Sequence, residues 1–169
     1  MSRTGAPGSD APGLSVLLGE LLEGAAALKA ACAGRRLLGL DPGTKTIGVA
    51  ICDPAHRVAT PLKVVRRKKF AADLEALQAV IREYDVGGLV IGLPLNMDGS
   101  AGPRAQSVRA FQRNLEKALD LPMILQDERM STQAVERSLI EQDVSRRRRA
   151  EVVDAHAAAF ILQGALDAA

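Results

Sequence analysis

A chain of 169 residues with 47% apolar and 25% charged residues suits one soluble domain with a real core and is short for two. Aromatic residues make up 2% and tryptophan is absent, so the core is expected to be aliphatic, and stacking of unpaired bases on rings is excluded as a main mode of binding. The net charge of +2 indicates no partner by itself, but its distribution is uneven. Arg57, Lys63, Arg66, Arg67, Lys68 and Lys69 have no acid among them, and Arg146–Arg149 form a second basic run. Two such islands in a nearly neutral chain suggest a local polyanion site; the alternative for each is a solvated surface.

Residues 1–12 (MSRTGAPGSDAP) are glycine, proline and small polar residues and are expected to form a flexible lead. Over residues 14–31 Leu14, Leu17, Leu18, Leu21, Leu22, Ala25 and Leu28 share one face of an accessory helix. Gly19 and Gly24 each weaken that helix by about 1 kcal/mol relative to alanine. A compact domain is expected from Arg35 onward, which divides the chain into residues 1–34 and 35–169. Its first strand covers residues 36–41. The second, 46–53, sets Ile47, Val49 and Ile51 on one face against Gly48, Ala50 and Cys52 on the other, so that something packs closely on the small side. Residues 57–66 form a third strand whose Pro61 suits a sheet edge. The short links make these three strands antiparallel hairpins.

The spacing then changes. Phe70, Leu74, Leu77, Ile81 and Tyr84 predict a helix of about 15 residues. "VGGLVIGLP", from Val86, is a buried strand. Residues 103–119 form a helix with Val108, Phe111, Leu115 and Leu119 on one face and Pro103 in its first turn. "PMILQDE" is a fifth strand, and residues 131–141 and 148–166 are helical. The order β-β-β-α-β-α-β-α-α predicts an α/β fold: a mixed five-stranded sheet with helices on both faces. Sites on such sheets lie at the carboxyl ends of the parallel strands. Strand one ends at Asp41, strand four at Gly92 and Leu93, and strand five at Asp127 and Glu128.

Asp41 has two readings. Asp-Pro-Gly is ordinary turn chemistry, yet a second carboxylate position arrives at the same edge in "QDERMST". A third acid, Asp154, sits in "EVVDAHAAAFIL" on a largely apolar helix, where a carboxylate is costly unless paired or bound to a cation. A salt bridge to Arg147 on the same helical face is the alternative for Asp154. Converging carboxylates form a hard-oxygen site suited to Mg²⁺ or Mn²⁺. His56, His156 and the two cysteines, Cys32 and Cys52, are poorly spaced for zinc or for a disulfide framework. The four arginines at 146–149 begin a helix, where the dipole disfavours cations, and a phosphate ligand would account for them. No apolar run reaches the roughly 18 residues that span a membrane, and no signal peptide is evident, so the expected location is the cytoplasm.

Four stretches, "LLGLDPGTKTIGVAICD", "GLVIGLPLNMDGSAGPRAQSVRAF", "QDERMST" and "RRRRAEVVDAHAAAFILQ", together resemble the YqgF family over about residues 36–166. This bacterial group is RNase H-like. It is described both as Holliday-junction-resolvase-like and as a nuclease maturing the 5′ end of pre-16S rRNA. The resemblance implies an RNase H-like sheet of order 3-2-1-4-5 and a nuclease that uses one or two Mg²⁺ or Mn²⁺ ions. It implies Asp41, Glu128 and Asp154 as catalytic metal ligands, with water as the nucleophile. It also implies Lys45, Asn96, Arg129, Thr132, Arg146, Arg147, Arg148 and Arg149 as substrate contacts. The implied partners are precursor rRNA or branched DNA, with ribosomal particles alongside and no membrane.

One departure is visible. Related resolvases carry their second acid on the strand beside strand one, whereas strand four here ends in Gly-Leu-Pro. Glu128 then comes from two strands away, near 10 Å at about 4.8 Å per strand. Two other readings accompany the nuclease: a nucleic-acid-binding module that does not cut, and an actin-like or sugar-kinase ATPase, whose phosphate loop "DPGTKT" also resembles. The ATPase needs a second, repeated half, and no repeat is evident.

Overall fold

The links 43–45 and 53–58 are too short for anything but reversals, and they join the first three strands into antiparallel neighbours. A computed structural model of the chain describes residues 24–96, 98, 100–127 and 146–168, with 146–152 described by backbone alone. Residues 24–31 are helical (α1). They are followed by β1 (Arg36–Pro42), β2 (Thr46–Cys52), β3 (Ala59–Arg66), α2 (Phe70–Tyr84), β4 (Val86–Leu93), α3 (Pro103–Ala118), β5 (Met123–Asp127) and α4 (Arg146–Asp167). The helix expected over 131–141 lies outside the described residues.

The sheet order is β3-β2-β1-β4-β5, as expected from the sequence. β4 runs parallel to both β1 and β5, each reached by a helical crossover. Pro61 does lie on the edge strand, where the register slips between Val49 and Ala50 of its neighbour. β3 begins at Ala59 rather than 57 because the Asp53 carboxylate accepts the N–H groups of Arg57 and Val58, folding them into a turn.

Alternation along the strands makes two cores. Leu38, Leu40, Ile47, Val49, Leu89 and Ile91 face α2 and α3, where Leu77, Val108, Phe111 and Leu115 complete an aliphatic layer. Each fully buried side chain of this size contributes about 1.5–3 kcal/mol. The opposite face carries Leu37, Ala50, Cys52 and Val90 against α1 and α4. Ala25, Leu28 and Cys32 are buried there, packing α1 onto this face.

α4 lies unusually close to the sheet. A Cβ placed on Gly39 would be 2.7 Å from the Leu162 Cβ and 2.9 Å from the Ala158 carbonyl oxygen. One on Gly48 would be 1.9 Å from the Asp154 carbonyl oxygen. The small face read on the second strand is therefore the seat of α4, whose own contact residues include Ala155, Ala158 and Ala159. Among the described residues, no helix is long and apolar enough to cross a membrane.

Candidate active site

The close seating of α4 also brings distant acids together. Asp41 is the strand partner of Gly48, and residues directly opposite in an antiparallel pair project to the same face. That face is the one on which the Asp154 backbone rests against Gly48. Asp41 and Asp154 thus lie on one face of the sheet at the carboxyl end of β1, both half-buried. Thr46, two residues before Gly48 and therefore on its face, donates its hydroxyl to Asp154 Oδ2. This bond spans 108 residues of chain and fixes which way the carboxylate turns.

The turn after Asp41 is held from several directions. The Gly43 N–H bonds the Thr46 carbonyl at 2.8 Å, and a side chain at Gly43 would crowd that same oxygen at 3.0 Å. The Arg67 backbone N–H bonds the Lys45 carbonyl at 2.9 Å, and its guanidinium Nη1 donates to the Gly43 carbonyl at 2.6 Å. The same guanidinium sits 5.1 Å from the centre of the Phe111 ring, with its Nε 4.0 Å from the buried Asp73 carboxylate. Asp73 in turn accepts the Lys68 N–H at 2.8 Å. Arg67 belongs to the scaffold beneath the turn, and this withdraws it from the basic island as a freely available cation.

Register extends the site along the edge. Leu40 aligns with Ile91, so the next step brings Asp41 level with Gly92, which pairs with Gln126. Asp41 therefore stands between two side-chain-free positions, Gly48 and Gly92. On β5, Met123 and Leu125 belong to the α2/α3 core, and Asp127 shares their parity. Glu128, Arg129 and Thr132 lie outside the described residues, as do the side chains of Arg146, Arg147, Arg148 and Arg149, whose backbone opens α4.

Lys45 is exposed within the turn itself. Asn96 is also exposed and braces its own loop, donating from Nδ2 to Ser100 Oγ at 2.9 Å. Asp98 accepts both the N–H and the hydroxyl of Ser100, which is the turn chemistry its neighbour Gly99 suggests. Among the described residues no three potential metal-ligating side chains gather in one place. Burial pushes the thiols of Cys32 and Cys52 up, and the N–H groups of Val58 and Arg57 hold the Asp53 carboxyl down.

The sequence did not single out Thr46 or the scaffold role of Arg67. Thr46 had a signal, since it shares the small-residue parity of Gly48 beside a candidate acid. Arg67 had none, because its partners Asp73 and Phe111 come from two different helices.

Residues 35–168 match the family model described as RuvX: Holliday junction resolvase. A relative from Bradyrhizobium sp. strain BTAi1, named "Putative pre-16S rRNA nuclease", is 64% identical over 131 residues, covering 78% of this chain and 81% of the relative. One of the same name from Novosphingobium aromaticivorans is 61% identical over 135 residues, covering 80% and 86%. Among solved structures, T. thermophilus RuvC in complex with Holliday junction substrate superposes with a TM-score of 0.50 at 17% identity, covering 79% of this chain and 94% of that one. The yeast mitochondrial Holliday junction resolvase Ydc2 gives 0.50 at 12% identity, covering 99% and 88%. These two likenesses establish the resolvase-type, RNase H-like fold. By the extent of the family match and the identity to its relatives, this chain belongs to the RuvX (YqgF) family.

Proposed function

We propose that the protein is a divalent-metal-dependent endonuclease that cleaves phosphodiester bonds in 5′-end maturation of pre-16S rRNA during ribosome biogenesis. The observation that carries this reading is the placement of Asp41 and Asp154 on one face at one sheet edge, with Thr46 orienting the second carboxylate. Two half-buried carboxylates with no thiolate beside them are a hard-oxygen donor set, which fits Mg²⁺ or Mn²⁺. Asp41, Asp154 and Glu128 would hold the metal. When bound, the ion supplies electrostatic stabilisation of the charge that develops on the phosphoryl oxygens.

The chain's own residues supply orientation. Thr46 fixes the direction of the Asp154 carboxylate, and the Arg67-braced turn keeps Asp41 at the rim. Lys45, Asn96, Arg129, Thr132 and Arg146–Arg149 serve as contacts to the phosphate backbone. Residues 35–169 form the nuclease domain, preceded by residues 1–34. Precursor rRNA is the partner, within the cytoplasm and in company with ribosomal particles.

The test incubates purified protein with pre-16S rRNA carrying its 5′ extension, and separately with a four-way DNA junction, in Mg²⁺, Mn²⁺ or chelator. The expected result is metal-dependent cleavage of the RNA that is lost in Asp41→Asn and in Asp154→Asn. Cleavage persisting in both variants would sink the carboxylate assignment. A second reading, cleavage of branched DNA, is favoured by the family's description as a Holliday junction resolvase. Cutting of the junction and not of the RNA would establish it. Tight, salt-sensitive binding with no cutting of either would make the protein a binding module.

A further inference from the structure

We propose that the cleft between the 42–44 turn and the beginning of α3 holds a backbone phosphate of the nucleic-acid strand beside the bond being cut, with Arg104 as its principal contact. The proposal rests on the nuclease reading for the identity of the strand. The cleft has a volume of about 180 Å³ and is lined by Gly43, Thr44, Arg67, Arg104, Ser107 and Val108 among others. That is below the roughly 300 Å³ at which sites for whole organic ligands begin, and it suits a single small anionic group. No acid lines it.

The two guanidinium groups are in different states. Arg67 is largely committed, to the Gly43 carbonyl, the Phe111 ring and the neighbourhood of Asp73. Arg104 is exposed and has no hydrogen bond or ion pair among the described residues. It also stands in the first turn of α3, which contains no acidic residue, so its charge there opposes the helix dipole. An anion in the cleft would neutralise Arg104 and remove that opposition. Thr44 and Ser107 add two hydroxyl donors suited to phosphate oxygens.

Geometry connects the cleft to the carboxylates. Asp41 projects toward α4, whereas the cleft opens on the α3 side of the same rim, with the 42–44 turn between them. A strand engaged at both places crosses the sheet edge over that turn. Arg104 would then set the register of the strand against Asp41 and Asp154, and so the position of the cut.

The test uses a fluorescently labelled RNA carrying the 5′ extension of 16S rRNA, titrated by anisotropy in chelator so that binding is read without cleavage. Arg104→Ala should bind about tenfold more weakly or worse, as expected for loss of a charge-assisted bond. Its salt dependence should fall by about one counterion. Arg104→Lys should recover most of the salt dependence and part of the affinity. With metal added, Arg104→Ala should raise KM more than it lowers kcat and should spread the cut over neighbouring positions. Arg104 is exposed, so an unchanged thermal melt is the folding control. Unchanged affinity and salt dependence in Arg104→Ala overturns the proposal, as does failure of the unmodified protein to bind this RNA. If the unmodified protein binds and Arg104→Ala weakens it, yet nothing is cut, the cleft stands and the nuclease reading fails. If the RNA is cut and Arg104→Ala binds normally, the reverse holds.

Discussion

Gly48→Ala tests the arrangement at its tightest point. The new Cβ would lie 1.9 Å from the Asp154 carbonyl oxygen and 2.4 Å from its carbonyl carbon, where real Cβ contacts essentially never fall below 3.0 Å. The obstacle is backbone on both sides, so no side-chain rotation relieves it. α4 has to retreat by about 1 Å or more, and it is pinned further along where Ala158 and Leu162 rest on Gly39. Overpacking of this kind costs about 1–3 kcal/mol, and the rigidity of both partners puts this case at the upper end. The same retreat carries Asp154 away from Thr46 and Asp41, and a displacement of about 1 Å at a reacting centre costs roughly 100-fold in rate. Urea denaturation of Gly48→Ala should therefore report a loss of about 3 kcal/mol. Cleavage of precursor rRNA at saturating substrate should fall about 100-fold. Asp154→Asn separates the two effects, losing cleavage while keeping most of the stability. A Gly48→Ala protein with an unaltered urea midpoint and an unaltered rate would refute the seating of α4 on β2.

Two further predictions concern residues that act through others. Thr46→Val keeps a β-branched strand residue but removes the donor to Asp154, so kcat should fall about tenfold or more with KM little changed, and Thr46→Ser should restore it. Equal kcat in Thr46→Val would remove the positioning role. Arg67→Ala deletes the bond to the Gly43 carbonyl, the contact with Phe111 and the cation near buried Asp73; urea denaturation should report a loss of about 2–3 kcal/mol. Arg67→Lys should recover only part of this, because a point charge cannot reproduce the planar fork. A loss below about 0.5 kcal/mol would return Arg67 to ordinary surface.

Much of the sheet was legible because its signals are local. Short links dictate hairpins, Pro61 marks an edge, and the glycine-alanine-cysteine parity of β2 announces a close neighbour. Asp41 was legible for the same reason, as an acid ending an apolar strand. What the neighbour on β2 would be was not legible, because Asp154 reaches Gly48 from more than 100 residues away. The direction of the Asp154 carboxylate needed Thr46, which reads in sequence as one more strand-forming threonine. Arg67 was misleading in the other direction. Within a run of six cations it looks like part of a charged surface, and only the packing of α2 and α3 brings Asp73 and Phe111 to it. The burial of Ala25, Leu28 and Cys32 likewise depends on Gly88, whose absent side chain leaves room for Leu28 and Cys32.

The order in which the chain is made gives the seating of α4 another meaning. Asp41 and Thr46 are synthesised early, and every strand of the sheet precedes the helix that carries Asp154. A nascent or truncated chain ending before α4 can pair all five strands and still possess only one of the two carboxylates. It also leaves uncovered the glycine-lined face of β1 and β2, an apolar surface with a strong tendency to self-associate. Fragments lacking the last helix should therefore be unable to cut RNA and prone to aggregate. Addition of the missing helix as a separate peptide is the natural route to restoring both properties at once.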